Sequence, residues 1–242
     1  MNDVDKITKQ KLNVMLLVDA STSMRGKRID QVNAAIREIR DYLIDLGSES
    51  TNVDFYLSIL TFSTNAYWKN NKREELVDTF DFDDIKAGGW SNLHLAYQEL
   101  NNALKKESQG GIMPDFGGMA PIILLLTDGH PSENCKKQLE ELKKKPWFNV
   151  ALRYGVSIEL NDVKTKKNLQ EFVGNNGEVI DCFDSNKLKN YIKLIVLTAS
   201  KVKSKSSSFI SDDNSNNVVL NQNQQVKQEI QNALVEVDDW EW

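Results

Sequence analysis

The chain of 242 residues sets 30 Lys and Arg against 35 Asp and Glu, a net charge of −5, and 40% of its residues are hydrophobic. That suffices for one substantial core needing neither disulfide nor metal, and the acidic balance without a Lys/Arg cluster excludes a nucleic-acid footprint. Cys135 and Cys182 lie too far apart for metal-ligand spacing, His94 and His130 are too few for a zinc site, and no apolar run spans a bilayer or forms a leader h-region, so free thiols and a cytoplasmic location are expected.

After a polar lead of residues 1–11, Val14 to Val18 is an unbroken apolar run that predicts a strand buried on both faces. It ends in Asp19, Ser21 and Ser23, one carboxylate and two hydroxyls at alternate positions. These are hard oxygen donors suited to magnesium, although Asp and Ser also serve ordinary turns and helix caps. Ile29, Val32, Ile36, Ile39, Leu43 and Leu46 recur at helical spacing and predict an amphipathic helix closed by Gly47. Val53 to Phe62 reads as a central strand, with a short hairpin partner at residues 65–68 turning through Ser63, Thr64 and Asn65. Residues 69–87 lack a clear period and read as a loop holding an edge strand near Leu76 to Phe80.

Gly88-Gly89-Trp90-Ser91-Asn92 then leads into a second helical stripe, Leu93, Ala96, Tyr97, Leu100 and Leu104, with Ser91 or Asn92 at its N-cap. A Gly- and Pro-rich stretch from Gly110 to Pro121 reads as a flexible connection. Ile122 to Leu126 is a second apolar run ending in an acid, Asp128, followed by Gly129. A charged helix over residues 136–145 stops at Pro146, and a strand follows over residues 150–156. A short helix around Leu169 to Val173, a short strand at Val179 and Ile180, and a last helix marked by Leu188, Ile192, Ile195 and Ala199 complete the series. Alternating strands and helices predict an α/β, doubly wound, mostly parallel sheet with helices on both faces over residues 12–200.

From residue 201 the composition turns polar and low in complexity, with four Lys against seven acids, predicting a largely disordered tail over residues 201–242. Val226, Ile230, Ala233 and Leu234 keep helical spacing in it, and Trp240 and Trp242 beside acids suit a docking peptide. The serine run at 204–208 suits phosphorylation as well as it suits a solubilising linker.

Parallel strands ending in Asp19 and Asp128 open on the same sheet edge, and the loop carrying Ser91 enters there too. Two carboxylates and three hydroxyls from three loops are enough for an octahedral cation that keeps a position for water or an outside oxygen. Asp19-x-Ser21-x-Ser23, then Ser91 in Gly-Gly-Trp-Ser-Asn-Leu, then Leu-Thr-Asp128-Gly129 resembles the metal-ion-dependent adhesion site of von Willebrand factor A domains. Within that family, Leu-Leu-Val-Asp-x-Ser-x-Ser-Met followed by Thr-Asp-Gly-x-Pro is most similar to the bacterial TerY-like group of tellurite and stress resistance. The family usually has threonine where this chain has Ser91; the hydroxyl survives and the methyl does not.

The resemblance implies Asp19, Ser21, Ser23, Ser91 and Asp128 as metal residues for Mg2+, with Mn2+ or Ca2+ as alternatives, the serines direct and the aspartates direct or through water. It implies a non-enzymatic interaction module whose protein partner supplies Asp or Glu to the metal, in a stress-response setting with Ser/Thr kinase and phosphatase partners. Trp90 and His130 on the rim, with Trp240 and Trp242 in the tail, are the candidate partner contacts. A metal-assisted phosphohydrolase is the rival reading, although Ser21 stands where that chemistry wants a second acid. A scaffold whose tail is the docking or phosphorylated element is the other alternative.

Overall fold

The computed structural model describes residues 9–116, 118–129, 135–159, 163–175, 177–182 and 190–198, with isolated positions 224, 225, 228, 229 and 232. The expectations for His130, the serine run, Trp240 and Trp242 fall outside the described residues.

Strand β1 (Gln10–Asp19) lies between β2 (Val53–Phe62) and β5 (Ile122–Thr127), parallel to both, and its residues from Leu12 to Asp19 are all buried. Flanked on both edges and covered on both faces, it has no exposed side, which is why the sequence shows no polar alternation over Val14 to Val18. Strands β6 (Leu152–Ile158) and β7 (Gly177–Cys182) continue the sheet in parallel beyond β5. Strands β3 (Ala66–Trp68) and β4 (Glu75–Leu76) pair antiparallel to β2, giving the order β3-β2-β1-β5-β6-β7 with β4 beside β2. The chain moves outward one way from β1 to β2 and the other way from β5 to β7. The winding therefore reverses between β1 and β5, and a crevice opens beyond the carboxyl ends of those two strands.

Helix α1 (Lys27–Glu49) and the helical residues 190–198 cover one face, packing Val32, Ile36, Ile39, Ile192 and Ile195 on Val14, Leu16 and Val18. On the other face lie α2 (Leu93–Ala103), α3 (Cys135–Lys143), α4 (Pro146–Val150) and α5 (Val163–Val173), set against Met15, Leu17, Ile123 and Leu125. The Tyr97 and Phe172 rings stack there at 5.8 Å. Each large side chain buried in these layers contributes about 1.5–3 kcal/mol, so the sheet is a rigid floor for the loops at its edge.

Several boundaries differ from the sequence expectation. Gly47 does not close α1, which runs on to Glu49 and ends at Ser50, whose backbone N–H donates to the Gly47 carbonyl. The edge strand near Leu76 is only Glu75–Leu76, since a 3-10 turn at Val77–Thr79 takes over and buries Val77 and Phe80. The connection after α2 is built rather than loose: Lys106 bridges Met113, and Ile112 and Met113 are buried. Pro146 opens the short helix α4 at its first turn, a position without a required N–H, so β6 starts at Leu152 and not at Val150.

Candidate metal centre

Asp19 is the last residue of β1, and the chain continues beside β2 for one more bond, Ala20 N–H to the Phe62 carbonyl at 2.8 Å. The Ser21 N–H then donates back to Asp19 Oδ1 at 2.9 Å, a side-chain-closed turn that a buried aspartate makes readily. A 3-10 turn at Thr22–Met24 buries Met24 and leaves Ser23 at the mouth of the crevice. The Ser91 loop is laced to this turn, Gly88 N–H donating to the Ala20 carbonyl at 2.7 Å and Thr22 N–H to the Gly89 carbonyl at 3.0 Å. On its other side Trp90 N–H donates to Thr64 Oγ1 at 3.2 Å and Asn92 N–H to the Ser63 carbonyl at 3.1 Å. Gly89 has φ +90, and a Cβ there would stand 2.4 Å from Thr64 Oγ1, so this close approach requires glycine. Asn92 flanks α2 as its N-cap without a side-chain capping bond, so Ser91 is free for other work.

The five predicted residues meet in one hydrogen-bonded chain. Ser91 Oγ donates to Asp19 Oδ2 at 3.1 Å, Ser21 Oγ and Ser23 Oγ are 3.0 Å apart, and Ser23 Oγ donates to Asp128 Oδ1 at 2.7 Å. Two further residues join them that the sequence did not single out. Thr127 Oγ1 donates to Asp19 Oδ2 at 2.7 Å, and Arg28 pairs with Asp128 Oδ2 while donating to the Ser23 carbonyl at 3.1 Å. Their signals are faint: a hydroxyl closing the apolar run before Asp128, and a basic residue five places after Ser23. Trp90 stands beside the site with 78% of its surface exposed. His130, Trp240 and Trp242 are outside the described residues.

Asp19 is fully buried and Asp128 nearly so. Burial pushes the Asp19 carboxyl up, hydrogen bonds from Ser21 and Thr127 pull it down, and Asp128 adds to the upward push. Among the described residues no Lys or Arg pairs with Asp19, and a buried carboxylate answered only by neutral donors is costly. A divalent cation relieves that cost. The donors present, two carboxylates and three hydroxyls, are the hard oxygens that Mg2+, Mn2+ or Ca2+ prefer, so the residues fit such an ion. Among the described residues no group of three or more His, Cys, Asp and Glu could hold a metal ion; this site has two such residues, Asp19 and Asp128, and its remaining donors are hydroxyls.

Comparison with known proteins bears on the fold and the family. The family profile of the von Willebrand factor type A domain matches residues 13–233. Inter-alpha-trypsin inhibitor heavy chain H1 of Sus scrofa is 25% identical over 175 residues, covering 67% of this chain. The chain spans only 18% of that relative's length. Among solved structures, a von Willebrand factor type A protein from Catenulispora acidiphila aligns over 79% of this chain and 43% of its own, with a TM-score of 0.56 and 13% identity. Proximal thread matrix protein 1 from the mussel byssus, solved with a zinc-occupied MIDAS motif, aligns over 79% of this chain and 48% of its own, with a TM-score of 0.55 and 17% identity. At these identities the structural likeness is one of fold. Among the described residues no helix is long and apolar enough to cross a membrane.

Proposed function

The chain belongs to the von Willebrand factor type A family, and on that premise we propose that it is a non-enzymatic, divalent-metal-dependent protein-interaction module. Asp19, Ser21, Ser23, Ser91 and Asp128 would hold Mg2+, with Mn2+ or Ca2+ as alternatives, and an acidic side chain of a protein partner completes the coordination. The ion supplies the positive charge that a partner's carboxylate binds. The observation that carries this reading is the convergence of three hydroxyls and two buried carboxylates from three separated loops, with Asp19 lacking a cationic partner among the described residues.

Each residue has a distinct part. Ser21 and Ser23 share a hydrogen bond between their hydroxyls, and those oxygens can aim lone pairs at an ion at little cost because a hydroxyl proton rotates freely. Asp19 anchors the other donors: Oδ1 accepts from Ser21 N–H and Oδ2 from Ser91 and Thr127. Trp90, exposed on the rim, suits a partner contact. A finer setting, a cytoplasmic bacterial stress-response or signalling system with Ser/Thr kinase and phosphatase partners, rests on the motif likeness to the TerY-like group.

The test is capture of partner proteins on immobilised full-length chain in Mg2+ or in EDTA, beside Asp19→Ala. Capture should need both the ion and Asp19. Equal capture in EDTA contradicts the reading.

A further inference from the structure

Arg28 opens the first turn of α1 and stands where a metal-binding crevice least wants a cation. Its Nη1 holds Asp128 Oδ2 and the Ser23 carbonyl, and its Nε reaches Glu159 Oε2 at 3.4 Å. The Asp128 side chain is wholly buried in this pair, whereas Arg28 keeps 29% of its side chain exposed. Glu159 follows β6 with φ +53, a left-handed backbone that costs a non-glycine residue free energy, and its other oxygen pairs with Lys27 Nζ at 3.1 Å. Arg28 thus spans two carboxylates, one inside the crevice and one on its rim.

Charge counting gives this arrangement a consequence. Among the described ion pairs at the crevice, Asp19 and Asp128 together would balance a divalent ion and Lys27 pairs with Glu159, so Arg28 adds a positive charge to the loaded crevice. We propose that Arg28 is a built-in counter-cation of the site: by holding Asp128 Oδ2, while Ser23 Oγ donates to Oδ1, it leaves neither oxygen of Asp128 unengaged, weakens metal binding, and adds positive charge to the loaded crevice for an anionic partner group. Glu159 draws part of the guanidinium's hydrogen bonding toward the rim and so moderates the effect. This rests on the metal-binding reading above.

The experiment is calorimetric titration of the full chain with Mn2+ alone, for the wild type, Arg28→Gln, Arg28→Lys and Glu159→Gln, with circular dichroism to check folding. A unit charge one carboxylate away from a divalent ion alters its affinity by roughly tenfold even at water's dielectric constant. Arg28→Gln should therefore bind Mn2+ about tenfold more tightly, Arg28→Lys close to the wild type, and Glu159→Gln several-fold more weakly. A purely structural Arg28 predicts the opposite sign, since its loss would leave Asp128 unfixed and weaken binding. Equal or weaker binding by folded Arg28→Gln overturns the proposal while leaving the metal site standing. If Arg28→Gln does not fold, unchanged affinity in Glu159→Gln overturns it. A wild type that binds no Mn2+ overturns the metal reading and this proposal together.

Discussion

Replacing Asp19 by Asn separates the metal role of this residue from its structural one, because the two change stability in opposite directions. The carboxylate is fully buried, its Oδ1 accepts the Ser21 N–H, and its Oδ2 accepts two hydroxyls, from Ser91 and Thr127. An asparagine can keep its oxygen toward Ser21 N–H and turn its NH2 toward those hydroxyls, whose oxygens accept as readily as they donate. The hydrogen bonds survive and the buried charge disappears, so without metal the variant should match the wild type or exceed it by about 1 kcal/mol. With Mg2+ at a hundredfold excess over its dissociation constant, the wild type gains about 2.7 kcal/mol, or about 5–10 °C in Tm for a chain of this size. Asp19→Asn loses a charged ligand and should show almost none of that rise. Differential scanning calorimetry in Mg2+ and in EDTA reads both effects. An equal Mg2+-dependent rise in the variant refutes the assignment of Asp19 to the metal site, and a metal-free loss of several kcal/mol refutes the hydrogen-bond reasoning.

Gly89→Ala forces a side chain onto Thr64 at φ +90 and should cost about 1–3 kcal/mol. Although it removes no donor it should also weaken Mn2+ binding by shifting Ser91; unchanged Tm and affinity would count against the laced-loop description. Arg153, buried on β6, donates to the Phe148 carbonyl in α4 and to the Phe172 and Val173 carbonyls at the end of α5, and burial pulls its pKa down to about 10. Arg153→Ala leaves those carbonyls unanswered and should lower stability in urea by roughly 2–4 kcal/mol with Mn2+ affinity intact; a loss under half a kcal/mol, about the size of an ordinary surface change, contradicts it. Trp90→Ala should change Tm little, because the ring is mostly solvated, yet weaken Mg2+-dependent partner capture about tenfold. Capture undiminished by that change removes Trp90 from the interface.

The convergence of the five candidate residues was legible in the sequence because they sit at topologically fixed points. Asp19 and Asp128 each follow an apolar run that could only be an inner strand, and inner parallel strands share an open end, so their proximity follows from the pattern. Ser91 was legible through its place in the loop that leads into α2 and through the motif resemblance. Arg28 and Thr127 were not, since a base in a helix's first turn and a hydroxyl at a strand's end have many ordinary uses, and only the winding of the sheet brings them to the carboxylates. Gly47 and Pro146 read as helix stops in local terms, yet α1 runs through its glycine to Glu49, and the proline's fixed φ starts the short helix α4 instead of only ending α3.

The most direct measurement is an anomalous difference map from crystals of the full chain grown with Mn2+. One peak should appear about 2.1 Å from the hydroxyl oxygens of Ser21 and Ser23, within reach of Ser91, Asp19 and Asp128, with at least one position filled by solvent. A peak elsewhere, no peak at saturating Mn2+, or an ion enclosed entirely by the chain's own atoms would contradict a site built to receive a partner's acid.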